Sequence, residues 1–438
     1  MKNLFSYGTS AIGHFGATLL VGLVLSCGTT LVMAESINTD PNETEFDSPI
    51  GINPGSITAQ FEEDEEWKDS LFRLPRVEQT LKPWYDFKTE LSEEHGLNFG
   101  LSFTHLYQWA SDTVGSENDA SGFELMLDGT WTVAGRETDS PTMIGFQFSY
   151  LDTLGTELPP SGLFKSVGSL YPTAAAFGET DPAVSQLWVQ QIFENRWGFR
   201  VGKMFPITAY DFFPLKNFRT DFVDAMNVAD LVIPLPSYGF GGFVMYRPQP
   251  NSYVRLGLHD ANADVEKSVV DTYEGEIFKI AEFGFDSGLM DRVPGRPPSG
   301  DIHISLWHQD ERDDAAVADG WGFVTSGSQR FGRYLPFLRY GYADAGADGP
   351  TPMKHSINGG VAMDNVFGQK NDRVGVSLTW SDPSNKALDN QGALDTYYRI
   401  QLTEEIAISP TLQFIIDPVR NPDEDQIFVL GIRTRIEI

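Results

Sequence analysis

From Asn98 to the last residue the chain returns repeatedly to a period of two, and this limits the fold more than any other feature. Phe99, Leu101, Phe103, His105, Tyr107 and Trp109 alternate with Asn98, Gly100, Ser102, Thr104 and Gln108. Phe123, Leu125, Leu127, Trp131 and Val133 oppose Glu124, Met126, Asp128, Thr130 and Thr132, and Ile144, Phe146, Phe148 and Tyr150 oppose Gly145, Gln147 and Ser149. Val374, Val376, Leu378 and Trp380 oppose Arg373, Gly375, Ser377 and Thr379. The closing segment sets Phe428, Leu430, Ile432, Thr434, Ile436 and Ile438 against Val429, Gly431, Arg433, Arg435 and Glu437. Successive side chains of a strand point to opposite faces, so each segment has one apolar face and one polar face. Segments of about ten residues with this division suit tilted strands that cross a bilayer, with lipid outside and a watery lumen inside. A soluble antiparallel protein, such as two sandwiches, is the competing arrangement. It needs continuous cores, where this chain offers apolar faces backed by charged ones.

The connections favour the barrel. Strands are expected near 98–110, 122–134, 142–151, 183–193, 197–205, 239–247, 252–260 and 277–285. A second set follows near 301–309, 320–329, 335–342, 355–363, 372–380, 394–402, 410–416 and 427–438. The longest connections are 152–182 and 206–238, whereas 194–196 and 248–251 are tight turns. Alternating long and short connections, with an even strand count that returns both termini to one side, characterise an outer-membrane barrel. The segment 286–300 fits least well, being long where a short turn is expected. The expected fold is therefore all-β: a transmembrane antiparallel β-barrel of about 16 strands, with a short helical segment before it. Tyr107, Trp109, Trp131, Tyr150, Trp188, Trp197 and Trp380 lie near strand ends, where aromatic girdles belong.

The N-terminus reads as an export signal. Lys2 precedes an apolar stretch, Ala11 to Leu25, and small residues end at Ala34, which places the cut after residue 34. Cys27, the sole cysteine, falls within this leader, so the exported chain has no disulfide. Residues 1–34 contain one Lys and no acid, and their removal takes the formal net charge from −30 to −31. Such a charge argues against nucleic acid as a partner. Residues 35–83 form an acidic arm, read as periplasmic and partly disordered, with ten acids before the first base at Lys68. Weak helical patterning runs from Trp67 to His95 and is clearest from Trp84, and Gly96 suits a helix cap.

Several stretches resemble the carbohydrate-selective outer-membrane porins (the OprB family). These are Gln186 to Gln191 with Phe199 to Lys203, Gly239 to Pro248 with Ser252 to Asp260, and, most specifically, Thr396 to Thr403, Pro410 to Pro418 and the closing strand. The likeness covers residues 84–438, the expected porin domain, and is strongest at its C-terminal end. Two features depart from the family: the acidic arm, and Ile438 where members end on an aromatic residue. The resemblance implies passive, diffusive uptake of sugars across the outer membrane of a Gram-negative cell. Implied partners are small neutral sugars, outer-membrane lipid and the barrel-assembly machinery, with a monomer and a homo-oligomer both open.

A sugar pathway needs groups that pair with hydroxyls and faces on which a pyranose ring can lie. By parity the polar faces carry Glu124, Asp128, Gln186, Trp188, Gln190, Arg200, Arg255, Arg373, Arg399, Gln401, Gln413, Arg433 and Arg435, with Glu282 of uncertain parity. Arg200 and Arg399 stand out because they fall in the family-like stretches. For any one arginine the plainer role is a wall residue paired with a neighbouring carboxylate. The same list would line a general or cation-preferring diffusion porin. The loop 206–238, with Phe212-Phe213-Pro214 and Phe218 to Asp221, either folds into the lumen as a constriction or packs outside on its own aromatics. No HExxH or GxSxG motif supports catalysis, and the seven histidines are scattered, read as surface or interface residues. No cofactor or metal site is expected. The acidic loops 310–319 and 421–425 lack the ordered ligand spacing of a known Ca²⁺ loop. An adhesin or barrel enzyme using the long loops is the remaining alternative.

Overall fold

The computed structural model describes residues 70–286, 300–313 and 315–438. The leader, the cut after Ala34 and most of the acidic arm lie outside the described residues, as does most of 286–300.

Helix α1 (Pro75–His95) begins about two turns before Trp84 and stops where expected. Gly96 adopts φ 70°, and its N–H reaches Leu91 O and Ser92 O. A side chain there would suffer the left-handed conformation and would also meet Arg136. The chain then enters the strands β1 (Leu97–Ala110), β2 (Asp119–Ala134), β3 (Thr142–Thr153), β4 (Thr180–Phe193), β5 (Trp197–Met204) and β6 (Gly239–Tyr246). There follow β7 (Ser252–Asp260), β8 (Ile277–Asp286), β9 (Gly300–Gln309), β10 (Gly320–Gln329) and β11 (Tyr334–Asp344). The last are β12 (Met353–Val366), β13 (Gln369–Pro383), β14 (Gln391–Gln401), β15 (Ile406–Ile416) and β16 (Gln426–Glu437).

Every strand pairs antiparallel with its sequence neighbours, and β1 pairs with β16 from Ser102↔Glu437 to Ala110↔Val429, which closes the barrel. Closure leaves no sheet edge with unpaired backbone groups, the condition for a β structure in hydrocarbon. All sixteen expected segments are strands, some beginning earlier than the alternation suggested: β2 at Asp119, β4 at Thr180 and β15 at Ile406. The apolar face of each strand points outward. Leu125, Trp131, Phe148, Leu187, Val244, Leu256, Leu306, Leu378, Leu430 and Ile436 are all exposed on the outer wall. Trp188 departs from the girdle reading, because it points inward and is buried.

Tight turns such as 194–196, 330–333, 367–368 and 402–405 lie at the end of the barrel that holds α1 and the last residue. The long connections 154–179 and 205–238 lie at the other end. This polarity makes the first end periplasmic.

Candidate functional site

The site is the interior, and its dominant feature is the β5–β6 connection, 205–238. It is the lumen alternative of the sequence reading that holds: nearly every residue from Pro206 to Ile233 is buried. The segment is rich in apolar and aromatic side chains, including Tyr210, Phe212, Phe213, Leu215, Phe222, Val223 and Met226. Such a composition is poorly suited to water, and the barrel interior supplies a place to bury it. Phe213 packs on Phe337 of β11 with centroids 4.6 Å apart, and Phe222 meets Tyr397 of β14 edge-on at 4.8 Å. Tyr210 rests against Gly257 of β7, where any Cβ would fall 1.6 Å from its hydroxyl, and bonds His259 Nε2 at 3.0 Å. His259 thus faces the lumen and is buried, unlike the surface role read for it.

Charged side chains of the loop meet wall charges on several strands, among them β2, β9, β11 and β13. Arg219 donates two hydrogen bonds to the Glu124 carboxylate of β2, at 2.5 and 2.6 Å. Asp211 accepts from Arg339 of β11, and its amide donates to Glu282 Oε2 of β8 at 2.5 Å. Arg255 of β7 binds Glu282 Oε1 at 3.1 Å and Ala209 O at 2.6 Å, while Ser305 Oγ of β9 donates to Glu282 Oε2 at 2.8 Å. His303 of β9 lies 3.4 Å from Asp211 Oδ1 and 2.5 Å from Asp301. On the opposite wall Asp221 Oδ1 accepts from Arg373 at 2.8 Å and from the Tyr397 hydroxyl at 2.7 Å. Arg433 of β16 donates to Phe218 O and Asp221 O, at 2.6 and 2.7 Å.

Three loop groups show what burial does. Lys216 turns back on its own segment, donating to Ile207 O, Tyr210 O and Asp211 O at 3.1, 2.8 and 2.6 Å. Burial pulls its ammonium down to about 8, with the Asp211 carboxylate opposing the change. Burial alone would raise Asp211, but Arg339, Lys216 and His303 outweigh it and hold the carboxyl below the usual range. Asp224 is pushed well above that range, first by burial and then by the facing Asp395 carboxylate of β14. Its oxygen caps the short helix Ala225–Val228, accepting from Met226 N at 2.6 Å.

The β3–β4 connection, 154–179, also enters the lumen. Gln391 Oε1 of β14 accepts from Leu170 N at 2.8 Å, and Thr173 O accepts from Gln413 of β15 at 2.7 Å and Gln108 of β1 at 3.3 Å. The two loops join directly, through Ala175 N to Val223 O at 2.8 Å and Ala225 N to Pro172 O at 3.2 Å.

The polar residues expected in the lumen therefore divide by task. All point inward, but Glu124, Glu282, Arg255, Arg373 and Arg433 hold the 205–238 loop. Gln413 holds the 154–179 loop. Gln186 bonds Gln147 Oε1 at 3.0 Å, Gln401 bonds Thr403 O at 2.9 Å, and Arg435 bonds Glu437 at 2.7 Å. Asp128 is buried on the inner face of β2.

Arg200, Gln190 and Trp188 form a separate cluster on β4 and β5, nearer the periplasmic turn 194–196. The Arg200 guanidinium donates to Gln190 Oε1 at 2.9 and 2.7 Å, and lies 3.9 Å from the Trp188 ring centre and 5.4 Å from that of Phe243. Arg200 and Gln190 keep partial exposure. Arg399, also partly exposed, stands on β14 opposite Arg373 in the β13–β14 register. Eight strands lie between β5 and β14 in one direction and six in the other, so Arg200 and Arg399 face each other from distant walls and do not form one cluster.

Sequence reasoning did not pick out Asp211, Lys216, Asp224, Arg339, His303 or Asp301 as interior groups. For the loop residues a signal was present, since acids and bases sit within an otherwise apolar run. Arg339 lies in an alternating segment, Leu335 to Ala343, whose parity marks it as inward. Among the described residues no group of three or more His, Cys, Asp or Glu is arranged to hold a metal ion.

Residues 306–438 match the family model described as carbohydrate-selective porin, OprB family. No curated protein matches the chain. Among solved structures, the high-pH structure of Pseudomonas putida OprB aligns with a TM-score of 0.66 at 12% identity, covering 81% of this chain and 97% of that one. The low-pH structure of the same protein aligns with a TM-score of 0.50 at 11% identity, covering 81% and 96%. At these identities the structural likeness concerns the fold.

Proposed function

We propose that this chain is a carbohydrate-selective porin of the OprB type, seated in the outer membrane and passing sugars to the periplasm by diffusion. The observation that carries the reading is a closed sixteen-stranded barrel whose C-terminal third matches the carbohydrate-selective family model. Many of the barrel's interior polar groups hold two loops in place, an arrangement that suits a channel scaffold. The 205–238 loop is the constriction. Beneath it, Arg200 and Gln190 offer hydroxyl-pairing groups, with Arg200 held against the buried Trp188 ring, and Arg399 adds a planar cation on the far wall. Pairing by planar hydrogen-bonding side chains suits neutral sugars better than it suits small ions. Outer-membrane lipid and the barrel-assembly machinery are the partners such a barrel needs.

Liposome swelling tests the reading. Vesicles holding the refolded protein should swell faster in isotonic mono- and disaccharides than in uncharged solutes of equal size that lack the hydroxyl pattern. Equal rates for both solute classes would leave a general diffusion porin. No swelling in any solute, with the barrel shown to be inserted, would remove the channel reading altogether.

A further inference from the structure

Helix α1 is tied to the barrel at both ends. Leu71 N and Phe72 N donate to Gln401 O and Leu402 O beside the β14–β15 turn, at 3.1 and 2.8 Å. At the other end Trp131 Nε1 donates to His95 O at 3.1 Å and Arg136 to Glu94 O at 2.9 Å. Between these ties the helix meets the wall at β1 and β2, and Tyr85 lies beside Glu404 and Glu405 of the β14–β15 turn. Trp84 meets Phe99 edge-on at 5.5 Å, and Phe87 lies 6.3 Å from the same ring. Phe99 shares its face of β1 with Leu101 and Phe103, and Trp131 lies on the exposed outer face of β2. Those residues belong to the lipid-facing surface.

The helix is amphipathic about this contact. Leu74, Val77, Leu81, Trp84, Phe87 and Leu91 recur at helical spacing, while Gln79, Lys82, Asp86, Glu90 and Glu93 occupy the opposite arc. The barrel covers only part of the stripe. Phe87 is 47% exposed and Val77 39%, and just before the helix Phe72 is 62% exposed. A continuous apolar strip left open beside an aromatic girdle calls for an apolar partner.

We propose that α1 is an interfacial helix, its apolar stripe set into the headgroup–acyl boundary of the periplasmic leaflet beside β1 and β2. The strip is continuous with the outer surface of the barrel, so the lipid that meets Leu101 and Phe103 also meets Phe87. The charge balance identifies the headgroup. Residues 76–94 carry three bases and five acids, so attraction to anionic lipid contributes nothing and a zwitterionic leaflet is the better match. This inference rests on the outer-membrane reading, and the test keeps the two apart.

The experiment uses the full chain with Cys27→Ser, refolded into phosphatidylcholine vesicles, with single label sites at Val77→Cys, Phe87→Cys and Glu90→Cys. Heat-modifiable migration on gels first establishes that each barrel has inserted; failure there indicts the membrane reading, not the helix. In inserted barrels, labels at 77 and 87 should be quenched by lipid-borne nitroxide and be several-fold less quenched by aqueous iodide than the label at 90. Val77 touches no barrel side chain through a ring contact, so it reports even if Phe87→Cys loosens the helix. Equal iodide access at all three positions would overturn the proposal. Protection that grows with protein density in the vesicle would also overturn it, by assigning the stripe to a second copy of the chain.

Discussion

The Glu124–Arg219 pair offers the sharpest perturbation of the lumen loop. Both side chains are 4% exposed, and the two hydrogen bonds are short and parallel, a bidentate arrangement. Glu124→Ala leaves the guanidinium in place over the Phe218 ring, 4.2 Å away, with its carboxylate removed. Removing one partner of a buried ion pair costs about 3–5 kcal/mol, because the other charge stays desolvated. At about 1.4 kcal/mol per tenfold, that is roughly two to four powers of ten in the docking equilibrium of the loop. The loss should fall on the loop, because β2 remains held by its ladders to β1 and β3. Trypsin reads the change directly, since Lys216 and Arg219 are buried in the docked loop and become cleavable when it leaves. Single-channel current reads it a second way, as a larger and noisier open level. The double variant Glu124→Leu with Arg219→Met removes both charges at similar volume and should recover most of the protection. The reasoning fails if Glu124→Ala resists trypsin and conducts as the wild type does. It fails equally if the double variant is as open as the single one.

Other outcomes follow from the same geometry. Arg200→Ala should weaken sugar block of the current by about tenfold or more, the loss of charge-assisted hydrogen bonds worth about 1.5–3 kcal/mol. Its melting should be unchanged, since the partners Gln190 and Trp188 are anchored in β4; unaltered block would remove it from the pathway. Gly257→Ala forces the Tyr210 ring off the wall, an overpacking cost of about 1–3 kcal/mol, and should make the loop trypsin-sensitive without lowering barrel yield. Asp224 gives a pH signature. Its carboxyl in the docked loop lies above its ordinary value, so it favours docking at low pH and stops doing so as pH rises through the raised value. Current noise from loop motion should therefore grow on alkalinisation, and Asp224→Asn should flatten that dependence. A variant that tracks the wild type at every pH would assign the effect elsewhere.

How much of this could be read from the sequence depends on the range of the interaction. Strand existence, count and sidedness are local properties: two residues apart means the same face, so Phe428 to Ile438 alone separates the two faces of β16, and the rest of the chain says which one is lumen. The early starts of β2, β4 and β15 were less visible. Ala120, Gly122 and Ser121 carry no apolar contrast, and the β3–β4 pairing contains bulges between Gln147 and Phe148 and between Ser149 and Leu151 that break the register. Helix α1 was legible at its end, where Gly96 marks the cap. It was obscure at its start, because Pro83 interrupts the pattern and the N-cap residue, Leu74, provides no side-chain cap.

The division of labour inside the lumen was not legible, and the reason is general. Parity states that a charge points inward; it does not state what it meets there. Glu124 and Arg219 are 95 residues apart, Asp211 and Arg339 are 128, and Asp221 and Arg433 are 212. Each pairing exists only once the barrel has closed and the loop has turned inward, so it leaves no periodic trace. The same closure explains why an acidic chain has a lumen wall rich in arginine. The loop brings Asp211, Asp221 and Asp224 with it, and a wall of basic side chains is what allows those carboxylates to be buried. Arginines that balance the loop are thereby unavailable to a sugar. On the proposed function, the groups left to act on a solute are those that the loop does not hydrogen-bond, chiefly Arg200 with Gln190, and for that reason Arg200→Ala should separate flux from folding where Arg373→Ala should not.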